Sequence, residues 1–257
     1  RYKQILLGLI LFVLLGGFLQ ITGKFHFFYI EQLNIPVSED YLADKISSPG
    51  GLSLIIGEFL TQFFITPYAG PFIIAANLRL IGLTIEEIIL QINPNKELFL
   101  LYLLPVLFLL LIQYDFNYLV QGTIAFLFCL ISLNAWMRIK DPCYRLSAAL
   151  VITPLLFWIG GPIAGLFSLS VVLKEAISRS KQGFYFLAVL LIPVYRDRKC
   201  LVNYHHQLSL RILTGRFYHP ILAAPNLIYF AWVCLPLSLI GHSYILKAKT
   251  NQRKKQG

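Results

Sequence analysis

The chain has 257 residues, of which 57% are hydrophobic and only 13% charged, and it carries a formal net charge of +10 at pH 7. Its mean hydropathy of +0.69 is higher than a soluble domain of this length can accommodate, which predicts an integral membrane protein. Lysine and arginine collect in the cytoplasmic loops of membrane proteins, so the positive charge indicates membrane orientation and argues against nucleic acid as a partner.

The apolar residues form continuous blocks without the alternation of about ten residues that marks membrane strands. They predict an all-α polytopic transmembrane bundle, a single domain over residues 1–257 with about eight membrane segments. The N-terminus before the first span, residues 5–22, is basic, and so is the tail, residues 247–257. Both termini are therefore predicted to lie on the cytoplasmic side of an inner membrane. No metal site is predicted, because the four cysteines lack the paired spacing of metal ligands: Cys129, Cys143, Cys200 and Cys234. The sequence does not indicate a cofactor.

Acidic residues are concentrated early in the chain. Residues 25–77 hold five of the twelve. Most of them belong to a predicted extracytoplasmic loop, residues 23–51, which is interrupted by breaker residues at 36 and at 48–51. The five are Glu31, Glu39, Asp40, Asp44 and Glu58.

Residues 52–66 predict a helix that lies on the membrane surface. Its polar and small side chains share one face, while Leu, Ile and Phe cover the rest. The members of that face are Ser53, Gly57, Glu58, Thr61, Gln62 and Thr66. A carboxylate in an apolar helix is costly unless it faces a cavity or a partner, so Glu58 is a candidate functional group. Alternatively, Glu58 bonds to Arg79 or to another helix.

The middle of the chain predicts further spans at residues 72–83, 98–112 and 118–137. A polar cytoplasmic connection, residues 84–97, joins the first two and contains a short helix at about 85–90 that ends before Asn93 and Pro94. Residues 146–173 form an apolar block that a Gly-Gly-Pro run divides into halves too short for a full crossing. The halves form a short hairpin or a re-entrant pair. A single kinked helix is the alternative, and it would invert everything that follows.

The last spans, residues 183–194 and 220–246, enclose a basic segment, residues 195–219, on the outer side, where the charge rule disfavours it. The acidic loop and this segment would share one extracytoplasmic face, which suits a site for an anionic group beside a hydroxyl. Contacts with lipid phosphates are the alternative. The predicted substrate-binding residues are Glu58, Gln62, Arg196, Arg198, Lys199, His205, His206, Arg211 and Arg216.

Three carboxylates are predicted to be catalytic: Glu31, Glu39 and Asp40. Glu31 lies among aromatic residues at the membrane edge, where partial burial favours a general base. Glu39 and Asp40 also suit a helix cap before residues 41–45.

The order of these parts resembles the N-terminal part of the GT-C class of membrane glycosyltransferases. The corresponding stretches are YIEQ and SEDY in the outer loop, GLSLIIGEFLTQFF as the surface helix and GPFIIAANLRLIG as the second span. The resemblance implies sugar transfer from a polyprenyl-phosphate donor at the periplasmic face, with Glu31 or Asp40 as general base and Glu39 orienting. The run FFYIEQ followed by SPGGLSLIIGEFLTQFF is also similar to a family of multi-spanning Bacteroidetes proteins that implies no known activity.

Two other functions stay open. A structural or accessory subunit would pack against other membrane subunits through Gly-rich and aromatic faces. A small transporter would use Glu58 and the broken block at 160–162, although the chain lacks an internal repeat. The predicted partners are membrane lipids, a polyprenyl-phosphate lipid and other membrane subunits.

Overall fold

A computed structural model describes residues 2–22, 39–66, 68–92, 103–113 and 120–178. These residues form helices and turns, so the all-α prediction is confirmed for the described part of the chain. Short 3-10 turns follow two of the helices, at Phe63–Ile65 and Gly161–Ile163. The helices are α1 (Tyr2–Thr22), α2 (Glu39–Ser47), α3 (Gly51–Gln62), α4 (Ala69–Ile92), α5 (Leu103–Ile112), α6 (Val120–Met137), α7 (Pro142–Gly160) and α8 (Ala164–Ser178).

Among the described residues, two stretches are long and apolar enough to cross a membrane by length and composition: Val120–Met137 and Pro142–Ala176. The first is α6, and the second covers α7 and α8. Shorter apolar helices occupy Gly8–Thr22 and Gly51–Ile65. The larger number of about eight membrane segments stays a prediction.

The second stretch is a helical hairpin. Arg145 Nη2, near the start of α7, lies 2.5 Å from Glu175 Oε1, near the end of α8. The chain reverses after Gly160, where Gly161 has φ 68° and ψ −139°. In one continuous helix, residues 145 and 175 would be about 45 Å apart. The alternative of a single kinked helix is therefore wrong, and the two halves of the block fold back on each other.

Helix α4 is longer than predicted, because it continues through Ile92. The break predicted at residue 84 is therefore wrong, whereas helix is confirmed at 85–90: the predicted span at 72–83 and the predicted short helix form one continuous helix. Buried side chains at helical spacing explain the continuation: Leu78, Ile81, Ile85 and Ile88 form one apolar stripe against the core.

The bundle has two distinct ends. At one end, Trp136 Nε1 of α6 donates a hydrogen bond to the Arg145 carbonyl of α7 at 2.9 Å, and Arg138 pairs with Glu87 of α4 at 2.8 Å. We call this the Arg145 end. At the other end, which we call the α3 end, Gly57 of α3 packs against Gln121 near the start of α6, and Gly50, just before α3, bonds to Trp158 near the end of α7.

Helix α3 packs with its small face inward. Ser53, Gly57 and Thr61 are buried, whereas Phe59 and Phe63 are 53% and 45% exposed. The predicted helix is confirmed over Gly51–Gln62, and most of its polar face is turned to the protein. Two residues depart from the predicted faces: Thr66 is exposed and follows the helix, and Phe64, on the predicted apolar side, is buried. Small residues at helix contacts and large apolar residues outside are typical of helices packed in lipid.

Candidate functional site

The candidate site lies where α2 packs against α3. The Tyr41 hydroxyl of α2 lies 3.0 Å from Oε1 and 2.9 Å from Oε2 of Glu58 on α3, and it donates its hydrogen to this carboxylate. Lys45 Nζ lies 5.2 Å from the centroid of the Tyr41 ring, a cation–π distance. The Glu58 carboxylate is therefore held by a neighbouring helix within the described structure, and Arg79 is not its partner.

The other end of α2 is fastened to α7. Trp158 Nε1 donates a hydrogen bond of 2.7 Å to the Ile46 carbonyl, and the Gly50 amide donates one of 2.9 Å to the Trp158 carbonyl. Gly50 has φ 79°, a left-handed conformation that glycine adopts without steric cost, so the chain can turn sharply into α3. Helix α2 is thus tied to α3 near its start and to α7 near its end.

Glu39 and Asp40 form the first turn of α2, and both are exposed. Carboxylates at a helix N-terminus interact favourably with the helix dipole, so this position also stabilises α2. Asp40 directly precedes Tyr41 in the chain. The hydrogen bonds between Tyr41 and Glu58 therefore fix the backbone that carries Asp40.

Two glutamine side chains lie near the start of α6, and one of them contacts α3. A Cβ atom on Gly57 would lie 2.5 Å from Gln121 Cγ of α6, so α3 rests directly on this glutamine. Gln113 Nε2 donates a hydrogen bond of 3.0 Å to Thr123 Oγ1. The Oε1 atoms of Gln113 and Gln121 are buried without a hydrogen-bond partner in the described part of the chain. Gln62, predicted to bind substrate, ends α3 and is half-buried.

Several of the predicted site residues lie outside the described part of the chain, so their distance to α2 stays a prediction. They are Glu31, Arg196, Arg198, Lys199, His205, His206, Arg211 and Arg216. Within the described ranges, no group of three or more His, Cys, Asp or Glu side chains could hold a metal ion.

The sequence analysis missed Tyr41 and Trp158, although both carried a signal. Each is an aromatic residue with a polar hydrogen, the type that places its ring on apolar surface while its polar atom reaches a partner. Tyr41 follows two carboxylates directly, and Trp158 precedes the Gly-Gly-Pro run by two residues. The sequence around Tyr41 and Trp158 does not identify their partners, Glu58 and the Ile46 carbonyl, because those partners are distant in the chain.

The two ends of the bundle differ in their basic residues. The α3 end carries Lys45 as its one described lysine or arginine, beside the carboxylates of α2 and α3. Among the side chains that the structure describes, the Arg145 end carries Arg138, Lys140, Arg145 and Lys174. The described basic side chains are therefore concentrated at the end of the bundle opposite the carboxylates of α2 and α3.

Alkaline titration tests the contact between Tyr41 and Glu58. Burial, followed by the hydrogen bond to Glu58 and its negative charge, raises the pKa of Tyr41 to about 12. We expect Glu58→Gln to lower this pKa without restoring the usual value, because the burial remains. The phenolate absorbance of wild type, minus that of Tyr41→Phe, isolates the one group among the fourteen tyrosines.

The same contact makes stability depend on pH. The Tyr41 pKa is higher in the folded chain than the usual 10.0. The contribution of the protonated Tyr41 hydroxyl to the free energy of unfolding is therefore complete below pH 10 and is lost as pH rises towards 12. Tyr41→Phe should cost about 1 kcal/mol at pH 8, and the difference from wild type should shrink by pH 11. A difference that grows with pH would contradict this assignment.

Comparison with known proteins gives a family match. The model of the family described as Family of unknown function (DUF6057) matches residues 1–257. No curated protein and no solved structure matches the chain. The family description names no activity, so the carboxylates of α2 and α3 and their fastening are the features on which a functional proposal can rest.

Proposed function

The chain belongs to the DUF6057 family, and we propose that it is a polytopic inner-membrane enzyme of glycosyltransferase type. In this proposal it transfers a sugar from a polyprenyl-phosphate donor at the periplasmic face. The acidic α3 end of the bundle would bind the acceptor, and the basic segment at residues 195–219 would bind the donor phosphate.

The distribution of apolar side chains supports the membrane part of this proposal. Large apolar residues are exposed on several helices, and a soluble protein rarely exposes so many together. The outward direction of Phe59 and Phe63, with small residues turned inward, adds to this support. Exposed examples on α1, α5 and α7 are Leu9, Leu14, Leu107, Leu111, Val151 and Leu155.

The observation that carries the catalytic part is the double fastening of α2. A general base must lie within hydrogen-bond reach of the proton that it removes, so its backbone has to be held in place. Tyr41 bonds to Glu58 near the start of α2, and the Ile46 carbonyl bonds to Trp158 near its end. Asp40 is therefore an exposed carboxylate on a helix that hydrogen bonds hold in place near both of its ends.

The proposed reaction balances as a displacement at the anomeric carbon of the donor sugar. The acceptor hydroxyl gives its proton to Asp40 or Glu31 while its oxygen forms the new glycosidic bond, and Glu39 orients the acceptor. The bond between the anomeric carbon and the phosphate oxygen breaks, and polyprenyl phosphate leaves. Arg196, Arg198, Lys199 and Arg211 would stabilise the charge on that phosphate. We assign Glu58 a positioning role, since it holds Tyr41.

Replacement of Asp40 tests this function. We expect Asp40→Asn to lower transfer by about a hundredfold or more, the usual contribution of a general base. The assay follows consumption of a polyprenyl-phosphate sugar by the full chain in proteoliposomes. Glu31→Asn is assayed in parallel, because Glu31 is the alternative base.

Asp44→Asn is the matched control, because Asp44 is an exposed carboxylate one turn further along α2. It removes the same charge from the same helix, so its rate should stay close to that of wild type. Equal rates for the wild type and for both the Asp40 and Glu31 variants would rule out the catalytic proposal.

An accessory subunit is the second candidate, and an exposed aromatic pair favours it. The rings of Phe59 and Phe63 meet edge to face, with centroids 5.3 Å apart, on the outer face of α3. Such a pair can contact another membrane subunit. This candidate predicts that Phe59→Ala with Phe63→Ala releases a partner chain, whereas Asp40→Asn changes no activity of the complex. The transporter gains no support from residues 160–162, which form the turn between α7 and α8.

A further inference from the structure

An arginine lies in the middle of a long apolar helix, against a glycine of another helix. Arg79 is the eleventh residue of α4, which runs from Ala69 to Ile92, and its side chain is half-buried. A Cβ atom on Gly8 of α1 would lie 2.5 Å from Arg79 Nη2 and 3.2 Å from Cζ. The guanidinium therefore occupies a notch whose floor is the backbone of α1. We call it the Arg79 notch.

No described residue pairs with this guanidinium. The ion pairs within the described ranges are Arg138 with Glu87 and Arg145 with Glu175. The Glu58 carboxylate, the alternative partner suggested by the sequence, is bonded to Tyr41. Glu87 of α4 also accepts a hydrogen bond of 2.6 Å from Asn134, so this carboxylate is engaged with α6.

The surroundings of the notch are apolar and exposed. Leu9 and Ile10 follow Gly8 on α1, Leu80 follows Arg79 on α4 and Leu83 lies one turn further along α4, and all four are exposed. Arg79 precedes Glu87, at the Arg145 end, by eight residues, which is about 12 Å along a helix. An arginine at this depth beside lipid chains is costly without an anionic partner, and such residues are usually functional.

We propose that the Arg79 notch binds the phosphate of an anionic lipid from the leaflet at the Arg145 end. A guanidinium forms two parallel hydrogen bonds to a phosphate, and the absence of a side chain at Gly8 lets the Arg79 guanidinium lie against α1. The acyl chains would lie on the exposed leucines beside it, which is why we assign the phosphate to a lipid and not to a soluble ion. The inference rests on the proposed membrane-spanning arrangement, and it is independent of the transfer reaction.

Lipid retention tests the notch. The full chain, purified in mild detergent, is titrated with phosphatidylglycerol or phosphatidylcholine, and bound lipids are counted by native mass spectrometry. We expect selective binding of phosphatidylglycerol, weakened about tenfold or more in Arg79→Gln. Arg79→Lys should weaken it less, because the charge remains. Gly8→Leu, which fills the notch and leaves the charge unchanged, should also weaken it.

Arg138→Gln is the matched control, since this exposed arginine is already paired with Glu87. It should bind phosphatidylglycerol as wild type does. Circular dichroism and size-exclusion chromatography show which variants fold. If Gly8→Leu does not fold, Arg79→Gln and Arg79→Lys alone test the proposal. Equal retention by wild type and Arg79→Gln overturns the proposal, because the guanidinium would then contribute nothing to lipid binding. Competition by inorganic phosphate overturns the assignment to a lipid.

The lipid measurement and the transfer assay can fail separately. Asp40→Asn should retain phosphatidylglycerol at the wild-type level, because Asp40 lies on α2 at the α3 end, away from the notch. A chain that retains the lipid but shows no transfer refutes the enzyme and keeps the notch. A chain that transfers sugar but binds both lipids equally refutes the lipid site at the notch and keeps the enzyme.

Discussion

Replacing Glu175 with glutamine should lower the free energy of unfolding by about 3–5 kcal/mol, the cost of leaving one charge of a buried pair without its partner. The side chains of Arg145 and Glu175 are 16% and 2% exposed, and their charged atoms approach to 2.5 Å. The Arg145 guanidinium also lies 4.5 Å from the centroid of the Trp136 ring. The pair joins the open ends of the α7–α8 hairpin, so its loss should separate them. Thermal unfolding of the purified chain, followed by circular dichroism, gives the change.

An exposed ion pair provides the matched control. Arg138 and Glu87 approach to 2.8 Å, but their side chains are 63% and 53% exposed. Glu87→Gln should therefore cost at most about 1 kcal/mol. Replacing Arg145 and Glu175 together by methionine and leucine should restore much of the stability lost in Glu175→Gln. If Glu175→Gln costs no more than Glu87→Gln, water reaches the pair and the hairpin is not closed as described.

Gly51→Ala should cost about 3 kcal/mol, near the upper end of what overpacking usually costs. A Cβ atom at Gly51 would overlap the carbonyl oxygen of Lys45 and would lie 3.1 Å from Ser48 Oγ. Because the overlapping atom belongs to the backbone, no side-chain movement can relieve it. Helix α2 would have to move away from α3, which separates Tyr41 from Glu58 and displaces Asp40. Thermal unfolding and the transfer assay should therefore both show a loss.

Two other glycines serve as controls for this substitution. Gly17 of α1 and Gly165 of α8 have room for a methyl group, since no neighbouring atom of the described ranges lies within 4 Å of a Cβ added to either. Alanine at these helical positions should leave stability unchanged or raise it by up to about 1 kcal/mol. A neutral Gly51→Ala would mean that α2 does not pack on α3 through this turn.

Local patterns in the sequence predicted the helices and the faces of α3. The spacing of Ser53, Gly57 and Thr61 is a property of one helix, and the structure keeps these residues on one buried face. The Gly-Gly-Pro run likewise marked the reversal between α7 and α8. The end of α4 was misplaced because Glu86 and Glu87 made the last turns look polar, although Ile85 and Ile88 on either side of them continue the buried stripe.

The contacts that build the site could not be predicted, because they join residues far apart in the chain. Tyr41 and Glu58 are separated by 17 positions, and Trp158 and Ile46 by 112. Periodicity shows which face of a helix is polar, but it does not show which neighbouring helix will meet that face. Arg145 and Glu175 are 30 positions apart, and only the closing of the hairpin brings them together.

Cysteine labelling from the two sides of the membrane tests most directly whether the α2 carboxylates and the basic segment share the periplasmic face. The variants D44C, R198C and K140C are placed in a chain without Cys129, Cys143, Cys200 and Cys234, and intact cells are treated with an impermeant maleimide. We predict that D44C and R198C react from outside, whereas K140C reacts only after the inner membrane is opened. If D44C and R198C react from opposite sides, the proposed site cannot form.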